Sequence, residues 1–236
     1  MLPEVSFLRE VQSTMEVAHA RAQLGAPHGT AIVAERQLAG RGTRGRQWSA
    51  EAGGLWLSVV ARPQRTDALE ALSLRIGLTL TALLGRQFPQ LPPIALKWPN
   101  DLMLGERKLA GILCEARWSG GVCQWVVIGV GLNVRNPLPD ALTSGATRLV
   151  DWVPGVDPVA LATPCIDAIT AAARAGGPLT TPELNAFASR DFLAGRRIVD
   201  PLSGTAEGIT AAGALRVRLE AGPIQEILGG VVTTPG

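Results

Sequence analysis

Residues 40–48, which read GRGTRGRQW, limit how this chain can fold more than any other segment does. Three glycines and three arginines surround a single threonine ahead of Trp48. Glycine lets the backbone adopt positive φ and present its N–H groups, and arginine adds a permanent charge with forked donors that match phosphate oxygens. A core cannot hold several unpaired arginines, because burying unpaired charge is very costly. The segment therefore predicts a mobile loop that binds an anion, with an aromatic surface beside it.

Two apolar runs flank this loop, at residues 30–36 and 55–61, and both are typical of buried strands. Strand ends can hold a loop in place for chemistry. From the loop alone, a nucleotide phosphate and a nucleic-acid backbone both remain open as ligands. The whole chain carries a net charge of only +2, and 4 of its 22 basic residues fall between residues 36 and 46. The positive field is therefore local, which argues against a broad nucleic-acid-binding face and against a non-enzymatic nucleic-acid binder.

Composition and cysteine spacing indicate a reduced, globular protein. Hydrophobic residues make up 47% of the 236 residues, which suffices for one large domain or for a domain with a small module. Cys114, Cys123 and Cys165 show no CxxC spacing, so we expect buried thiols and neither a disulfide framework nor a zinc site. The first residues do not resemble a signal peptide, and no apolar run approaches the roughly 20 residues of a membrane span. We expect a cytoplasmic protein with no membrane partner.

Hydrophobic periodicity divides the rest of the chain into elements. It predicts helices that start at Ser13 or Thr14 and end near Leu24, and that cover residues 67–88, 159–174 and 182–188. Strands are predicted at residues 94–98, 102–104, 109–115 and 124–134, with a loop at 136–158 and no clear element before residue 12. After about residue 191, four short β-like runs separated by glycine predict a small antiparallel barrel. We place the division between residues 1–188 and 189–236.

Two further segments carry more chemistry than their local structure requires. In KWPND, Pro99 forces a turn, yet Lys97, Trp98, Asn100 and Asp101 bring a cation, an aromatic ring, an amide and a carboxylate together.

The other segment is a glycine-containing strand. Gly129 and Gly131 lie inside the most apolar strand, where glycine weakens the strand unless a ligand or another backbone packs against it. Asn133 closes that strand with an amide.

Four segments in this order, QLAGRGTRGRQW, KWPNDLML, RKLAGILCE and GVGLNV, resemble those of biotin–protein ligases. The resemblance runs from about residue 11 to the C-terminus. It implies an α+β fold: a class II synthetase-like domain with a mixed, largely antiparallel sheet flanked by helices, and a small C-terminal SH3-like barrel. It also implies that biotin and MgATP form biotinyl-5′-AMP, and that the enzyme then transfers biotin to a lysine of a biotin carboxyl carrier protein, in acetyl-CoA carboxylase or a related carboxylase.

The resemblance assigns roles to individual residues. It makes Lys108 and Arg41 the catalytic cations, with Lys108 clamping the biotin carboxylate and then the acyl phosphate. Its implied biotin-binding residues are Ser13, Thr14, Gln37, Arg41, Gly42, Thr43 and Lys108. Its implied nucleotide-binding residues are Gly40, Arg44, Arg46, Trp48, Lys97, Asn100, Asp101 and Asn133. Mg²⁺ would arrive on ATP, with Asp101 as a candidate ligand.

Two positions depart from the family's pattern. Thr43 stands where many members have a further arginine, and Met15 stands where asparagine is frequent. A lipoate–protein ligase shares the catalytic fold and is the main alternative. It would carry a different glycine-rich motif with a histidine nearby, whereas His19 and His28 both precede this loop. The sequence starts at the catalytic part, so we expect a monofunctional enzyme that does not bind DNA; a homodimer stays open.

Overall fold

A computed structural model describes residues 2–220 and 222–234. A seven-stranded sheet carries the strand order β1-β2-β3-β7-β6-β5-β4, and every neighbouring pair is antiparallel except β1 and β2. The strands are β1 (Val5–Val11), β2 (Ala31–Gln37), β3 (Leu55–Ala61), β4 (Ile94–Lys97), β5 (Asp101–Leu104), β6 (Arg107–Ser119) and β7 (Val122–Leu132). The helices are α1 (Thr14–Gln23), α2 (Glu70–Gln87), α3 (Pro158–Ala175) and α4 (Thr181–Ala188). This mixed, mostly antiparallel sheet flanked by helices confirms the predicted fold class.

Helices cover both faces of the large sheet, because alternate residues of its central strands point to opposite sides. On one face, α3 packs on β3, α2 packs on β4, β5 and β6, and the two helices contact each other and form the larger core. On the other face, α1 packs Met15 and Ala18 against Ile32, Val60 and Val127. Helix α1 has only ten residues, so it covers β2, β3 and β7 and leaves the β6 side of this face to other segments.

Glycines replace side chains on this face where β7 meets β6. Gly131 pairs with Gly111 across β7 and β6, and Gly129 pairs with Leu113 in the next row. On the other side of β7, the same two glycines pair with Trp56 and Ser58 of β3. Because three of these positions have no side chain, the middle of the sheet has a hollow that neighbouring segments or a ligand can fill.

A second sheet follows the large one and packs against it. It is four-stranded and antiparallel, with strands β8 (Arg197–Ile198), β9 (Gly204–Ile209), β10 (Leu215–Leu219) and β11 (Ile224–Ile227). Four short antiparallel strands after residue 191 confirm the predicted C-terminal β module. The buried Trp98 joins the two sheets, since its Nε1 donates a hydrogen bond of 2.8 Å to the carbonyl of Gly213. The division at residue 188 stays a prediction.

The described elements match the predicted ones within a few residues, with three corrections. The N-terminal segment, which had no predicted element, forms the parallel edge strand β1. The loop at 136–158 contains two short 3₁₀ helices, Asp140–Leu142 and Leu149–Asp151. Ser13 occupies the N-cap position of α1, but its side chain makes no capping hydrogen bond.

The three cysteines are free, and Cys165 is buried as predicted, whereas Cys114 and Cys123 are only half-buried. Burial raises the pKa of Cys114 and of Cys165 to about 12, which favours the protonated thiol in both. Within the described residues, no helix has the length and apolar character needed to cross a bilayer.

His28 links β3 to α3 through both ring nitrogens. Its Nε2 lies 2.9 Å from the carbonyl oxygen of Thr170, and its Nδ1 accepts a hydrogen bond of 3.0 Å from the Arg62 backbone N–H. The neutral ring with its proton on Nε2 satisfies both bonds. Burial lowers the pKa of His28, and the charge of Arg174 acts in the same direction, while the bond to Thr170 opposes them.

This arrangement predicts that the free energy of unfolding decreases as the pH falls below about 6.5, where histidine in the unfolded chain takes up its proton first. Urea midpoints measured at about pH 7.5 and about pH 5.5 should therefore differ more for the wild type than for His28→Gln. An equal loss of stability in both proteins would show that His28 does not contribute.

Candidate active site

A cavity of about 370 Å³ lies over the glycine-containing part of the sheet. The start of α1, the loop at residues 40–48 and a segment at residues 138–146 enclose it. Most of the predicted site residues contribute to its wall: Thr14, Gln37, Arg41, Gly42, Thr43, Arg46, Trp48, Asn100, Lys108 and Asn133. Side chains from four distant segments of the sequence therefore meet in one place.

Five predicted residues do not line this cavity. Gly40 is enclosed by the loop itself, because a Cβ there would lie 2.5 Å from the carbonyl oxygen of Trp48. Arg44 turns toward the small sheet, and a Cβ on Gly230 would lie 2.7 Å from its Nη2. Lys97 places its Nζ 5.7 Å from the ring centroid of Phe192.

The other two lie directly behind residues that do line the cavity. Ser13 precedes Thr14, is 1% exposed, and its hydroxyl finds no hydrogen-bond partner among the described residues. The Asp101 carboxylate contacts Lys108, with 2.6 Å between Oδ1 and Nζ. Asp101 thus reaches the cavity only through the lysine it neutralises.

One end of the cavity carries a fixed group of neutral polar side chains. The Gln37 Oε1 accepts hydrogen bonds from the backbone N–H and the hydroxyl of Thr14, at 2.8 and 3.0 Å. The Thr14 hydroxyl also lies 2.8 Å from the Ser58 hydroxyl. With its oxygen committed, Gln37 has an amide Nε2 that makes no hydrogen bond within the described part of the chain, so it is available as a donor to a ligand.

Trp48 rests on the glycines of the sheet. A Cβ at Gly131 would lie 2.6 Å from the indole of Trp48, and one at Gly111 would lie 3.0 Å away. The ring meets Trp56 edge to face, with 6.4 Å between centroids. The predicted close approach to Gly131 is therefore made by a side chain from the loop, and the aromatic surface beside the loop forms part of the cavity wall.

Lys108 is held from two sides. Its Nζ pairs with Asp101 and lies 5.0 Å from the ring centroid of Trp48, a distance at which a cation is attracted to the ring face. Its backbone N–H donates to the carbonyl of Gly145, and its carbonyl accepts from the N–H of Thr147, at 2.8 and 3.0 Å. Lys108 is therefore a half-buried, positioned cation at the cavity and not a solvated surface lysine.

Arg41 forms the second cationic side of the cavity and pairs with a residue that sequence reasoning missed. Its Nη2 lies 2.6 and 2.8 Å from the two carboxylate oxygens of Glu115. The hydrogen bond from His19 and the charge of Arg41 hold the pKa of Glu115 below its usual value, against the effect of burial. Glu115 could have been found, because strand alternation places it on the same face as Gly111 and Leu113.

Met15, noted from the sequence as a departure from the family's pattern, also forms part of the wall. It covers the sheet where Gly129 has no side chain, and a Cβ there would lie 2.6 Å from its sulfur.

Sequence reasoning missed the segment at 138–146, which adds Leu138, Leu142 and Gly145 to the cavity wall. The only signal for this segment was the length of the predicted loop at 136–158, since long loops without regular structure are often functional.

The arrangement suits an elongated ligand with different ends. Thr14 and Gln37 offer hydrogen bonds to a neutral polar group, and apolar walls follow. Lys108, Arg41 and Arg46 then supply positive charge at the loop. Such a gradient can bind a molecule that carries a neutral polar head, an apolar middle and an anionic end.

Comparisons with known proteins show which family this chain is similar to. The profile of the biotin/lipoate A/B protein ligase family matches residues 7–133, and that of the biotin protein ligase C-terminal domain matches residues 196–233. A biotin–[acetyl-CoA-carboxylase] ligase of Paracoccus denitrificans is 37% identical over 209 residues, which are 81% of this chain and 85% of that protein. A bifunctional ligase/repressor BirA of Bacillus spizizenii is 36% identical over 148 residues, or 59% of this chain; the matched region spans only 44% of the relative's length.

A solved structure is similar over almost the whole chain. The biotin protein ligase of Aquifex aeolicus in complex with biotin and ATP superposes with a TM-score of 0.82 and 26% identity, covering 99% of each chain. Since the family profile covers more than half of the sequence, and the Paracoccus relative is matched over most of its length, the chain belongs to the biotin/lipoate A/B protein ligase family.

Proposed function

We propose that this protein is an ATP-dependent ligase that activates biotin as biotinyl-5′-AMP and transfers biotin to a lysine of a biotin carboxyl carrier protein. The observation that carries the proposal is the polarity gradient in the cavity. Its neutral end, Thr14 and Gln37, fits the ureido ring of biotin, and its cationic end, Lys108 and Arg41, fits a carboxylate beside a phosphate. The Paracoccus and Aquifex proteins, by their names and bound ligands, support both substrates.

In the first step, a carboxylate oxygen of biotin attacks the α-phosphorus of ATP, and pyrophosphate leaves. The two reactants are both anions and repel each other, so cations that meet the developing charge lower the barrier. Lys108 and Arg41 approach the cavity from β6 and from the loop, on different sides. Holding the carboxylate and the phosphate in line between them adds the advantage of orientation.

In the second step, the amine of the acceptor lysine attacks the carbonyl of the mixed anhydride, AMP leaves with the bonding electrons, and the amine loses a proton. Until then the anhydride must be kept from water. Trp48 and the loop at residues 40–48 cover the cavity on one side, and the segment at 138–146 covers it on another. These segments exclude water and must move to admit ATP and the carrier.

Mg²⁺ fits this site as part of the ATP substrate. The described residues contain no group of three or more histidine, cysteine, aspartate or glutamate side chains that could hold a metal ion. Asp101 is a single carboxylate and already pairs with Lys108. Mg²⁺ is commonly bound through one or two carboxylates and substrate phosphates, so Asp101 could add one ligand to an ion carried by ATP. A cytoplasmic location and the identity of the carrier stay predictions.

The reversible first step gives a direct test. Biotin should drive exchange of labelled pyrophosphate into ATP, and lipoate should do so at least about 100-fold more slowly, because lipoate leaves the polar groups at Thr14 and Gln37 unpaired. Reactions without biotin or lipoate give the baseline rate of exchange. Exchange driven equally well by lipoate would contradict biotin specificity and favour the lipoate ligase alternative.

Replacing Lys108 tests the cationic end. Lys108→Ala should lower biotin-dependent exchange by about 100-fold or more, because a preorganised donor to the developing charge is lost. The neighbouring Arg107→Ala provides a matched control, since it removes a cation that does not line the cavity. Undiminished exchange by folded Lys108→Ala would rule out the clamp.

Replacing Gly131 tests the hollow in the sheet. Gly131→Ala places a methyl group 2.6 Å from Trp48, so the indole must leave its position. We expect exchange to fall by about 10-fold or more, because the wall that orients the reactants is displaced. Gly85→Ala in α2, where a Cβ meets nothing within 4 Å, should leave exchange unchanged. Normal exchange by Gly131→Ala would show that Trp48 is not needed there.

A further inference from the structure

A chain of hydrogen bonds connects Arg41 to the tip of the β6–β7 hairpin. The indole Nε1 of Trp125 donates to Nδ1 of His19 over 3.0 Å, and Nε2 of His19 lies 3.2 Å from Oε2 of Glu115. Both carboxylate oxygens of Glu115 accept from Nη2 of Arg41. The loop, α1, β6 and β7 each contribute one of these four side chains.

Every bond in this chain has a defined direction. An indole nitrogen can only donate, so Nδ1 of His19 must accept and the ring must carry its proton on Nε2. That proton then points to Glu115, whose carboxylate can only accept. Arg41 supplies the donors at the far end. The order of donors and acceptors thus allows one arrangement, and neutral His19 satisfies it.

The outer end of the chain packs against an arginine that is itself hydrogen-bonded. The Cζ of Arg62 lies 5.9 Å from the centroid of the Trp125 ring, within the range of a cation–π contact. Arg62 donates hydrogen bonds to the carbonyls of Ala22, Ala26 and Gln124. The indole that donates to His19 therefore contacts a side chain with three backbone partners.

The inner end of the chain reaches the cavity. Arg41 lines the cavity wall, whereas Glu115 does not. Glu115 occupies only Nη2, and within the described residues the other guanidinium nitrogens form no hydrogen bond, with Glu16 no nearer than 3.9 Å from Nη1. The carboxylate therefore grips one edge of the guanidinium from outside the cavity and leaves the remaining donors for a ligand.

We propose that Trp125, His19 and Glu115 position the Arg41 guanidinium for the adenylation step. This inference rests on the proposed function. None of the three touches the reacting atoms, so they are positioning residues that act through Arg41. Their role explains how a glycine-rich loop, which is free to adopt many conformations, can present one side chain at a reproducible place.

The first test separates positioning from local charge. Glu115→Gln should lower kcat of biotin-dependent ATP–pyrophosphate exchange by about 10-fold or more, since a misplaced catalytic group is costly. A negative charge that merely repelled ATP would give the opposite result, because its removal would lower KM for ATP without lowering kcat. Glu16→Gln is the matched control: it removes a carboxylate near the same arginine that forms no hydrogen bond with it, and kcat should stay within about twofold.

The second test removes the indole N–H. Trp125→Phe retains an aromatic ring beside Arg62, although a smaller one, and deletes the N–H that fixes the His19 tautomer. We expect kcat to fall about threefold or more in the same direction as Glu115→Gln, because the chain loses one directional bond. Unfolding temperatures of all variants should be recorded, so that a fall in kcat is interpreted only for folded protein.

The third test asks whether the effect passes through Arg41. In an Arg41→Ala background, Glu115→Gln and Trp125→Phe should cause no further fall in kcat, because residues that act through a shared group are not additive. Additive losses, or an unchanged kcat in the single variants, would overturn the positioning role. If wild-type protein shows no exchange with biotin, the proposed function itself fails, which is a different result from active wild type with indifferent Glu115→Gln.

Discussion

The site depends on an absence of side chains in the middle of the sheet. Gly111, Gly129 and Gly131 leave a hollow on the face that carries α1, and Met15 of α1 and Trp48 of the loop pack into it from two directions. Any larger residue at these positions would push the covering segments away. Glycine weakens strand pairing at the centre of the sheet, but it leaves an open surface on which an aromatic ring and a ligand can lie.

Both principal cations of the cavity already have carboxylate partners. Lys108 pairs with Asp101, and Arg41 pairs with Glu115. Each pair keeps a long, flexible side chain in one region before substrate arrives and limits the charge that the empty cavity would otherwise concentrate. An anionic substrate then competes with a carboxylate on each side. The strength of substrate binding is therefore a difference between two ion pairs and not the full attraction of a bare cation.

Much of this architecture could be predicted from the sequence, and the limits have physical causes. Apolar runs and helical periodicity located almost every element, because burial of one face leaves a regular pattern. The edge strand β1 was not predicted, because its residues are exposed or half-exposed and show no regular apolar pattern. The segment at 138–146 was not recognised because its importance comes from what lies opposite it in space. Glu115 was not recognised either, although strand alternation placed it on the same face as Gly111. Arg44 and Lys97 were candidates because they are cations, but neither lines the cavity. The backbone turns at Arg44, and Lys97 lies against the ring of Phe192.

Trp98 connects the small sheet to the cavity on the large sheet. Its indole N–H donates to the turn at Gly213, and Pro99 connects Trp98 to Asn100, whose amide donates to the carbonyl of Ile112 beside the cavity. A different C-terminal module would leave the buried Trp98 N–H unpaired unless it offered an acceptor at the same point. Fusions or chimeras that alter this turn should keep the hydrogen bond between the Trp98 indole and the Gly213 carbonyl.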